Sequence, residues 1–368
     1  MISLTLNKIK RQKIVLTSLA LLMMSSSSSY GSYELKEEDQ KKIINAHQAA
    51  SKIDEVNIKL GIIDGHFDPY SDTKNVLSKS TKDAYVGQNR FKVADRAHLL
   101  GHDHANHVAS SVHNIIPKAE LRVIDLNSEP SLLRRTGNAR LIAALDEAIR
   151  SEVSFINISL RISPDGDWNG KITEEVKAAF LRVRDAGIGI IKSAGNDQEF
   201  TGSTDYTCSL VELLQEMNGS MILAAATQYD IDGQFEKLAS FSKGKMDFHT
   251  GKMKVDQHGR PKLPRGSNLA GLAHEYTVTA PGKYNYAHGA MNNRIKKSGT
   301  SMAAPVVTGA AGLIRSAYPE LSSTEVLGHI LQSARTRSLQ DNIDLPAGKY
   351  GRGILDVKQT LQRIKEGK

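Results

Sequence analysis

The chain has 368 residues, of which 40% are hydrophobic, so it is long enough to build one large domain or two modest ones. Its formal net charge is +8, but Lys8, Lys10, Arg11 and Lys13 stand together in an N-terminal stretch without acidic residues. The excess on the rest of the chain is small and the aromatic fraction is only 5%, which argues against nucleic-acid binding.

The N-terminus has the pattern of a secretory signal peptide, which we predict over residues 1–31. Its basic residues precede an apolar run from Ile14 to Met24, and a Ser-rich segment then ends in Ser29-Tyr30-Gly31. A membrane-spanning helix needs about 20 apolar residues, so this run is too short for a stable anchor. We therefore expect export to the periplasm or the medium, without a permanent membrane anchor.

Cys208 is the single cysteine of the chain, so no intramolecular disulfide can form. An exported protein without disulfides must rely on the size of its core. For the thiol itself, the sequence favours a buried apolar filler over a nucleophile.

From Val56 onward, short apolar runs alternate with stretches of helical periodicity. One helix is indicated by the apolar spacing between Leu141 and Ile149, and another begins near Thr173 and ends at Gly187. Strands are predicted from Val56 to Asp64, at Leu121–Leu126, Phe155–Leu160 and Ile188–Ile191, and at Met221–Ala225. This order predicts an α/β fold with a mostly parallel, twisted sheet and helices on both faces.

A single domain over 56–368 is the simplest organisation, because a split would cut the sheet. The preceding segment, 32–55, is too short for a domain and is predicted to hold a short surface helix. Residues 243–273 are rich in Lys, Gly and Pro without sustained periodicity, and we predict a surface loop insertion there.

Three side chains stand where an α/β sheet places functional groups. Asp64 ends the first strand, and His104 begins a segment that turns from polar to apolar. Ser301 stands at the mouth of a helix of small apolar residues, where free backbone N–H groups can support an oxyanion. A lone strand-end Asp more often caps a turn, so Asp64 gains meaning only from its partners.

The segment Gly299-Thr300-Ser301-Met302-Ala303-Ala304-Pro305 closely resembles the nucleophile motif of the subtilisin-like serine peptidases (subtilases, peptidase S8). The order Asp64, His104, Ser301 is also the order of that family. The resemblance extends from about Val56 to the C-terminus through three further segments: Ile116–Leu121, Val278–Gly282 and Tyr350–Asp356. It implies a three-layer subtilisin-like fold.

The resemblance also implies a serine endopeptidase that acts on proteins or peptides. Ser301 would be the nucleophile, His104 the general base and acid, and Asp64 the group that orients the imidazole. Asn196 would donate its side-chain amide to the oxyanion.

Two segments resemble the family's substrate-binding machinery. The oxyanion loop would include Ser193, Ala194 and Gly195. The stretch 156–160 resembles an edge strand that pairs with an extended peptide, through Ser159, Leu160 and Arg161.

Some positions depart from the family pattern. Ala105-Asn106 replaces Gly-Thr beside His104, and Arg161 replaces Gly, where a long cation would narrow the cleft or recruit acidic substrate residues. These departures keep open a second hypothesis, a catalytically impaired binding or scaffold protein with the same fold.

We expect no required cofactor and no full prodomain. The stretch from His107 to Pro117 is shorter than in relatives that carry a calcium loop there, so we expect that calcium site to be absent. Only Ser32 to Asp54 lies between the predicted signal and the first strand, which is short for a folding prodomain.

Metal-dependent hydrolysis is the remaining alternative. His102, His104 and His107 are spaced closely enough for zinc ligands. His274-Glu275, however, is not followed by a second His, because Val278 occupies that place, so the helical zinc-peptidase motif is missing. The sequence therefore favours no metal at the site.

Overall fold

The computed structural model describes ten parts of the chain. They are residues 37–46, 57–65, 67, 103–126, 137–162, 170–229, 236–243, 264–288, 294–337 and 344–367. The predicted signal peptide, 1–31, lies outside these residues, as do His66 and His102.

Helices and strands alternate along the described residues. The helices are α1 (Glu37–Ile43), α2 (Asp103–Ile115), α3 (Gly137–Arg150), α4 (Glu174–Asp185), α5 (Asp205–Glu216), α6 (Thr300–Ala317), α7 (Ser323–Gln332), α8 (Ala347–Tyr350) and α9 (Val357–Lys365), with a 3₁₀ helix at Gly271–Tyr276. The strands are β1 (Lys59–Asp64), β2 (Glu120–Asp125), β3 (Phe155–Ile158), β4 (Gly189–Ser193), β5 (Met221–Tyr229), β6 (Glu236–Leu238), β7 (Ser240–Lys243), β8 (Pro264–Gly266), β9 (Thr277–Pro281), β10 (Asn285–His288) and β11 (Arg294–Lys297).

Seven of these strands form one mixed sheet. Its order is β2-β1-β3-β4-β5-β6. The seventh strand, β9, lies outside this order and pairs with β5. All pairings are parallel except that of β5 with β6. Strands β3, β4 and β5 are buried along their whole length, because helices cover both faces of a parallel sheet. The predicted α/β class and the predicted strands are confirmed, with bounds that shift by a few residues.

Two apolar cores lie on opposite faces of the sheet. One core packs α2, α6 and α7 against it, for example through Val108, Val307 and Val326. The other packs α3, α4 and α5, through Leu145, Phe180 and Leu210. The domain therefore has three layers, as the resemblance implied.

Helix α6 is buried on nearly all sides, which fits its composition of Ala, Val, Thr and Gly. It crosses α2 closely, since a Cβ built at Gly309 would lie 2.6 Å from the Cβ of Ile115. The glycine thus lets α6, whose first turn carries Ser301, approach α2, whose first turn carries His104. No helix among the described residues is both long enough and apolar enough to cross a bilayer.

Two predictions about local structure were wrong in part. The stretch 264–273 is not a surface loop, because β8 pairs with β7 and Ser267, Asn268 and Ala273 are buried. Strand β3 is not an edge strand, because β1 and β4 flank it, and only the residues after Ile158 extend beyond that pairing. The short helix predicted within 32–55 is present as α1, and one side of it is docked on the domain: the Gln40 amide donates to the Tyr286 carbonyl at 3.2 Å, and Ile44 is fully buried.

Candidate active site

A cavity of about 410 Å³ opens where β1, β3 and β4 end and where α2 and α6 begin. The cavity is lined by all the residues predicted from the sequence to act in catalysis or substrate binding: Asp64, His104, Ser159, Leu160, Arg161, Ser193, Ala194, Gly195, Asn196 and Ser301. The carboxyl ends of parallel strands meet at one edge of a sheet, which is why residues so distant in sequence gather here.

Asp64 and His104 form a hydrogen-bonded pair. The imidazole Nδ1 lies 3.0 Å from Oδ1 and 2.9 Å from Oδ2 of the carboxylate. Asp64 is 2% exposed, and the backbone N–H of Gly65 donates to its Oδ1 at 2.7 Å. With its proton on Nδ1, the neutral imidazole keeps Nε2 as an acceptor, which is the arrangement a general base needs.

The carboxylate also shifts the protonation equilibrium of the imidazole. Burial lowers the pKa of His104, but the charge of Asp64 and its hydrogen bond outweigh burial, so the pKa is raised above its ordinary value of 6.5. Lys297 opposes this with a smaller effect. His104 is therefore a stronger base than a free histidine.

Ser301 is half-buried at the second residue of α6, and its hydroxyl donates to the carbonyl of Ser159 at 3.0 Å. The Ser159 hydroxyl in turn donates to the carbonyl of Ser301 at 3.0 Å. That carbonyl would ordinarily accept from residue 305, but Pro305 has no N–H. The proline thus leaves the acceptor to Ser159, which ties the end of β3 to the first turn of α6.

A buried polar chain extends behind Ser159. Asn157, fully buried within β3, donates from Nδ2 to the Ser159 hydroxyl at 3.0 Å and accepts from the hydroxyl of Thr308 at 3.2 Å. Sequence analysis gave Asn157 no role of its own. The sequence feature that could have indicated a role is that Asn157 is a single amide inside the apolar run of β3. A buried amide needs hydrogen-bond partners within the protein.

Asn196 and Thr300 hold each other in position beside Ser301. The Oδ1 of Asn196 accepts from the backbone N–H of Thr300 at 2.9 Å and from its hydroxyl at 3.0 Å. The Thr300 hydroxyl accepts from the N–H of Gly195 at 3.1 Å. Because Oδ1 is engaged in this way, the Nδ2 donor of Asn196 is the part of the amide left for a ligand. Sequence analysis missed this function of Thr300.

Asn268 supports the loop that carries Asn196. It accepts through Oδ1 from the N–H of Asp197 at 2.8 Å, and it donates from Nδ2 to the carbonyl of Ala194 at 3.2 Å. A Cβ at Gly195, whose φ is +112°, would lie 2.4 Å from Nδ2 of Asn268, so only glycine fits there. No local pattern in the sequence indicated this contact, because the two segments are about 70 residues apart and pair only in the folded chain.

Arg161 lies in the cleft but is already engaged. Its Nη1 lies 3.0 Å from Oδ2 of Asp197, and its guanidinium lies 4.1 Å from the ring centroid of Tyr206. This stacked ion pair holds the side chain against the wall of the cavity. Arg161 is thus a wall residue whose guanidinium is paired with Asp197.

His107 serves the fold rather than the cavity. It is fully buried, and its Nε2 donates to the carbonyl of Asn285 at 2.9 Å, which ties α2 to β10. Burial above all lowers the pKa of His107 to about 3, so the ring stays neutral. Within the described parts of the chain, no group of three or more His, Cys, Asp or Glu side chains could hold a metal ion.

Two further sequence features have simple positions. Ala105 and Asn106, which stand in place of the family's Gly-Thr, are both buried in α2. Cys208 is half-buried on α5 rather than fully buried, and its Sγ lies 3.2 Å from the carbonyl oxygen of Gly202, outside the cavity.

Comparison with known proteins finds similarity to proteases. Subtilisin DY from Bacillus licheniformis is 25% identical over 316 residues, which are 83% of this chain and 91% of that protein. A thermostable alkaline protease from Halalkalibacterium halodurans is 26% identical over 261 residues, 68% of this chain and 57% of that protein.

Solved structures share the fold. The patellamide maturation protease PatA matches with a TM-score of 0.55 and 19% identity, over 85% of this chain and 99% of that one. A chain of the subtilase cytotoxin SubAB matches with a TM-score of 0.60 and 16% identity, over 89% and 96%. The family model described as the subtilase family, peptidase S8, matches residues 55–353, and the chain therefore belongs to the subtilase family.

Proposed function

We propose that this subtilase is a serine endopeptidase in which Asp64, His104 and Ser301 form the catalytic triad. The observation that carries the proposal is that the Asp64–His104 pair, Ser301 and the amide of Asn196 line one cavity. Family membership supports the serine-peptidase class, and the residue roles are our assignment.

In the proposed first step, Ser301 Oγ attacks the carbonyl carbon of the scissile peptide bond and Nε2 of His104 takes the hydroxyl proton. For this, the hydroxyl exchanges its bond to the Ser159 carbonyl for one to His104, by rotation about the Cα–Cβ bond. Side chains make such rotations within picoseconds to nanoseconds. Asp64 stabilises the imidazolium that results.

The negative charge that develops on the carbonyl oxygen needs donors that are already oriented. The Ser301 backbone N–H, in the first turn of α6, has no acceptor within the helix. Asn196 Nδ2 would be the second donor, held in orientation by the two bonds from Thr300 to Oδ1. The imidazolium then protonates the leaving amine, and water, activated by His104, hydrolyses the acyl-enzyme.

The substrates in this proposal are proteins or peptides that bind in extended form. Ser159, Leu160 and Arg161 continue beyond the last paired residue of β3, where an added strand could hydrogen-bond to the backbone. No metal or other cofactor takes part in the proposed steps. Export remains our proposal on the pattern of residues 1–31, and N-terminal sequencing of the mature protein tests it.

A fluorophosphonate probe tests the hydrolase proposal directly, because it labels only an activated serine. We expect the wild type to be labelled at Ser301 and to cleave an unfolded protein substrate. Ser301→Ala should lose both properties, whereas Ser316→Ala, on the same helix but outside the cavity, should keep both.

The second candidate is a subtilase-fold protein that binds without cleaving. The bond of the Ser301 hydroxyl to Ser159, together with the occupation of the cleft by Arg161, favours it. Two results together would establish this candidate and reject the hydrolase proposal. The folded wild type would not be labelled, and any cleavage seen with the wild type would be equally strong with Ser301→Ala.

A further inference from the structure

Lys192 is a buried lysine in the wall of the active-site cavity. It belongs to β4, is 2% exposed and lines the same cavity as Ser301. Its Nζ donates to the carbonyl of Ser193 at 2.8 Å. No carboxylate of the described residues forms a salt bridge with Lys192. A lysine ammonium has three N–H donors, so the bond to Ser193 leaves donors for a ligand.

The two carboxylates of the cavity are already engaged. Asp64 pairs with His104, and Asp197 pairs with Arg161. Arg265 adds another cation at the exposed rim. The deep part of the cavity therefore carries positive charge that no carboxylate lining it neutralises. A buried unpaired ammonium is unfavourable, and an anionic ligand would relieve it.

Tyr206 supplies a second donor next to this charge. It is 4% exposed and lines the cavity, and its hydroxyl oxygen accepts from the N–H of Ile162 at 3.2 Å. Burial is the main reason that the pKa of Tyr206 is raised to about 12, so the hydroxyl keeps its proton. That proton can be donated to an acceptor in the cavity.

The position of the two donors decides which part of a substrate would meet them. The ends of the paired strands β3 and β4, at Ser159–Arg161 and Ser193–Asn196, line the same cavity as Ser301. A residue whose carbonyl carbon is at Ser301 and whose oxygen is at Asn196 has its side chain directed between these strand ends. This inference rests on the proposed hydrolase function.

We propose that this cavity selects an acidic side chain, Glu or Asp, at the substrate residue whose carbonyl Ser301 attacks. The carboxylate pairs with the ammonium of Lys192 and accepts from the hydroxyl of Tyr206. Arg161 acts as a fixed wall, since Asp197 holds it at 3.0 Å.

The protonation of Lys192 gives the selection a pH signature. Burial first, and then the charge of Arg161, lower the pKa of Lys192 to about 7 in the free protein. Deprotonation above that value removes the ion pair, although a bound carboxylate raises the pKa again. The preference for acidic substrates should therefore be greatest below about 7 and decline at higher pH.

Matched fluorogenic peptides test the proposal. They differ only at the residue before the scissile bond, which is Glu, Gln, Leu or Lys, and kcat/KM is measured with each. We expect the Glu peptide to exceed the Gln peptide by about tenfold or more below pH 7, since the two differ in charge but hardly in shape. Equal values for Glu and Gln in an active wild type would overturn the selection.

Lys192→Met removes the charge and keeps an unbranched side chain of similar length. It should bring the ratio of Glu to Gln close to one, and Tyr206→Phe should lower the ratio by a smaller factor. Lys171→Met, which removes a charge from an exposed lysine outside the cavity, should leave the ratio unchanged. A Glu preference that survives in folded Lys192→Met would contradict the role of Lys192.

Labelling of Ser301 by a fluorophosphonate separates the two levels of the proposal. A wild type that is neither labelled nor active refutes the hydrolase function. A wild type that is labelled and cleaves peptides, but without regard to charge, refutes only the acidic selection. If Lys192→Met does not fold, the comparison of Glu with Gln in the wild type still decides the question.

Discussion

Gly309 faces Ile115 so closely that a Cβ on the glycine would lie 2.6 Å from the Cβ of the isoleucine. The contact is between two helices, α6 and α2, whose first turns carry Ser301 and His104. The spacing of Ser301 and His104 thus depends on a glycine that lies outside the cavity.

Gly309→Ala should force the two helices apart. We expect the free energy of unfolding to fall by about 1–3 kcal/mol and kcat/KM to fall with it. Denaturant unfolding and peptide hydrolysis measure the two effects. The matched control is Gly328→Ala in α7, where a Cβ meets nothing within 4 Å and where helix propensity should add about 0.5–1 kcal/mol of stability. Equal behaviour of the two variants would contradict the packing argument.

In the proposed mechanism, His104 sets the acidic limb of the pH profile of kcat/KM. It must be neutral to accept the serine proton, and Asp64 raises its pKa above 6.5. We expect kcat/KM to rise with pH through an apparent pKa above 6.5. Asp64→Asn should reduce kcat by about 10⁴-fold and shift this limb to lower pH, because the stabilising charge is lost. A limb that stays in place in Asp64→Asn would show that another group controls it.

The same pair contributes to stability with a defined sign. A histidine whose pKa is raised in the folded state stabilises it fully below the unfolded pKa of 6.5, and the contribution is lost as pH rises through the folded pKa.

Asn196→Ala should reduce kcat by about 10²–10³-fold with little change in KM, because the amide binds charge that exists only in the transition state. Steady-state kinetics on a peptide substrate separates the two constants. Asn218→Gly, an exposed asparagine at φ +46°, is the control and should have wild-type kinetics. A change in KM alone would assign Asn196 to substrate binding instead.

Ser159→Ala should destabilise the junction of β3 and α6. The change leaves the carbonyl of Ser301 and the Nδ2 of Asn157 without the partners they have here. We expect a loss of about 1–3 kcal/mol in the free energy of unfolding. Pro305→Ala restores an N–H for the Ser301 carbonyl, so it should recover part of this loss in the double variant. If the changes in unfolding free energy of Ser159→Ala and Pro305→Ala were simply additive in the double variant, the two residues would not be linked through the Ser301 carbonyl.

His107 should make the fold sensitive to acid. Its pKa is about 3 in the folded state against 6.5 ordinarily, so between these values the unfolded chain binds a proton that the folded chain does not. The free energy of unfolding should therefore fall as pH decreases from 6.5 toward 3.

His107→Gln can still donate to the Asn285 carbonyl but does not titrate, so its stability should depend less on pH in this window. Unfolding in denaturant at several pH values provides the comparison. His274→Gln, on an exposed histidine, should retain the wild-type slope. An unchanged slope in His107→Gln would exclude His107 as the acid-sensitive group.

The sequence by itself determined the α/β class, most of the strands and the three residues of the proposed triad. These features are local: apolar runs and helical periodicity report burial within a few residues, and the segment from Gly299 to Pro305 resembles one family through adjacent letters. Its weak point was the polar stretch 264–273, because burial there comes from contacts with distant segments.

Only the tertiary structure decided which groups hold the site in place. The contacts of Asn268 with Ala194 and Asp197, and of Gly309 with Ile115, join residues more than 70 positions apart. The tertiary structure also decided the charges around Lys192, because the ion pair of Arg161 with Asp197 joins two strand ends that meet only in the folded chain. Local sequence patterns cannot predict such pairings, because the pairings exist only after the sheet has brought its strand ends together.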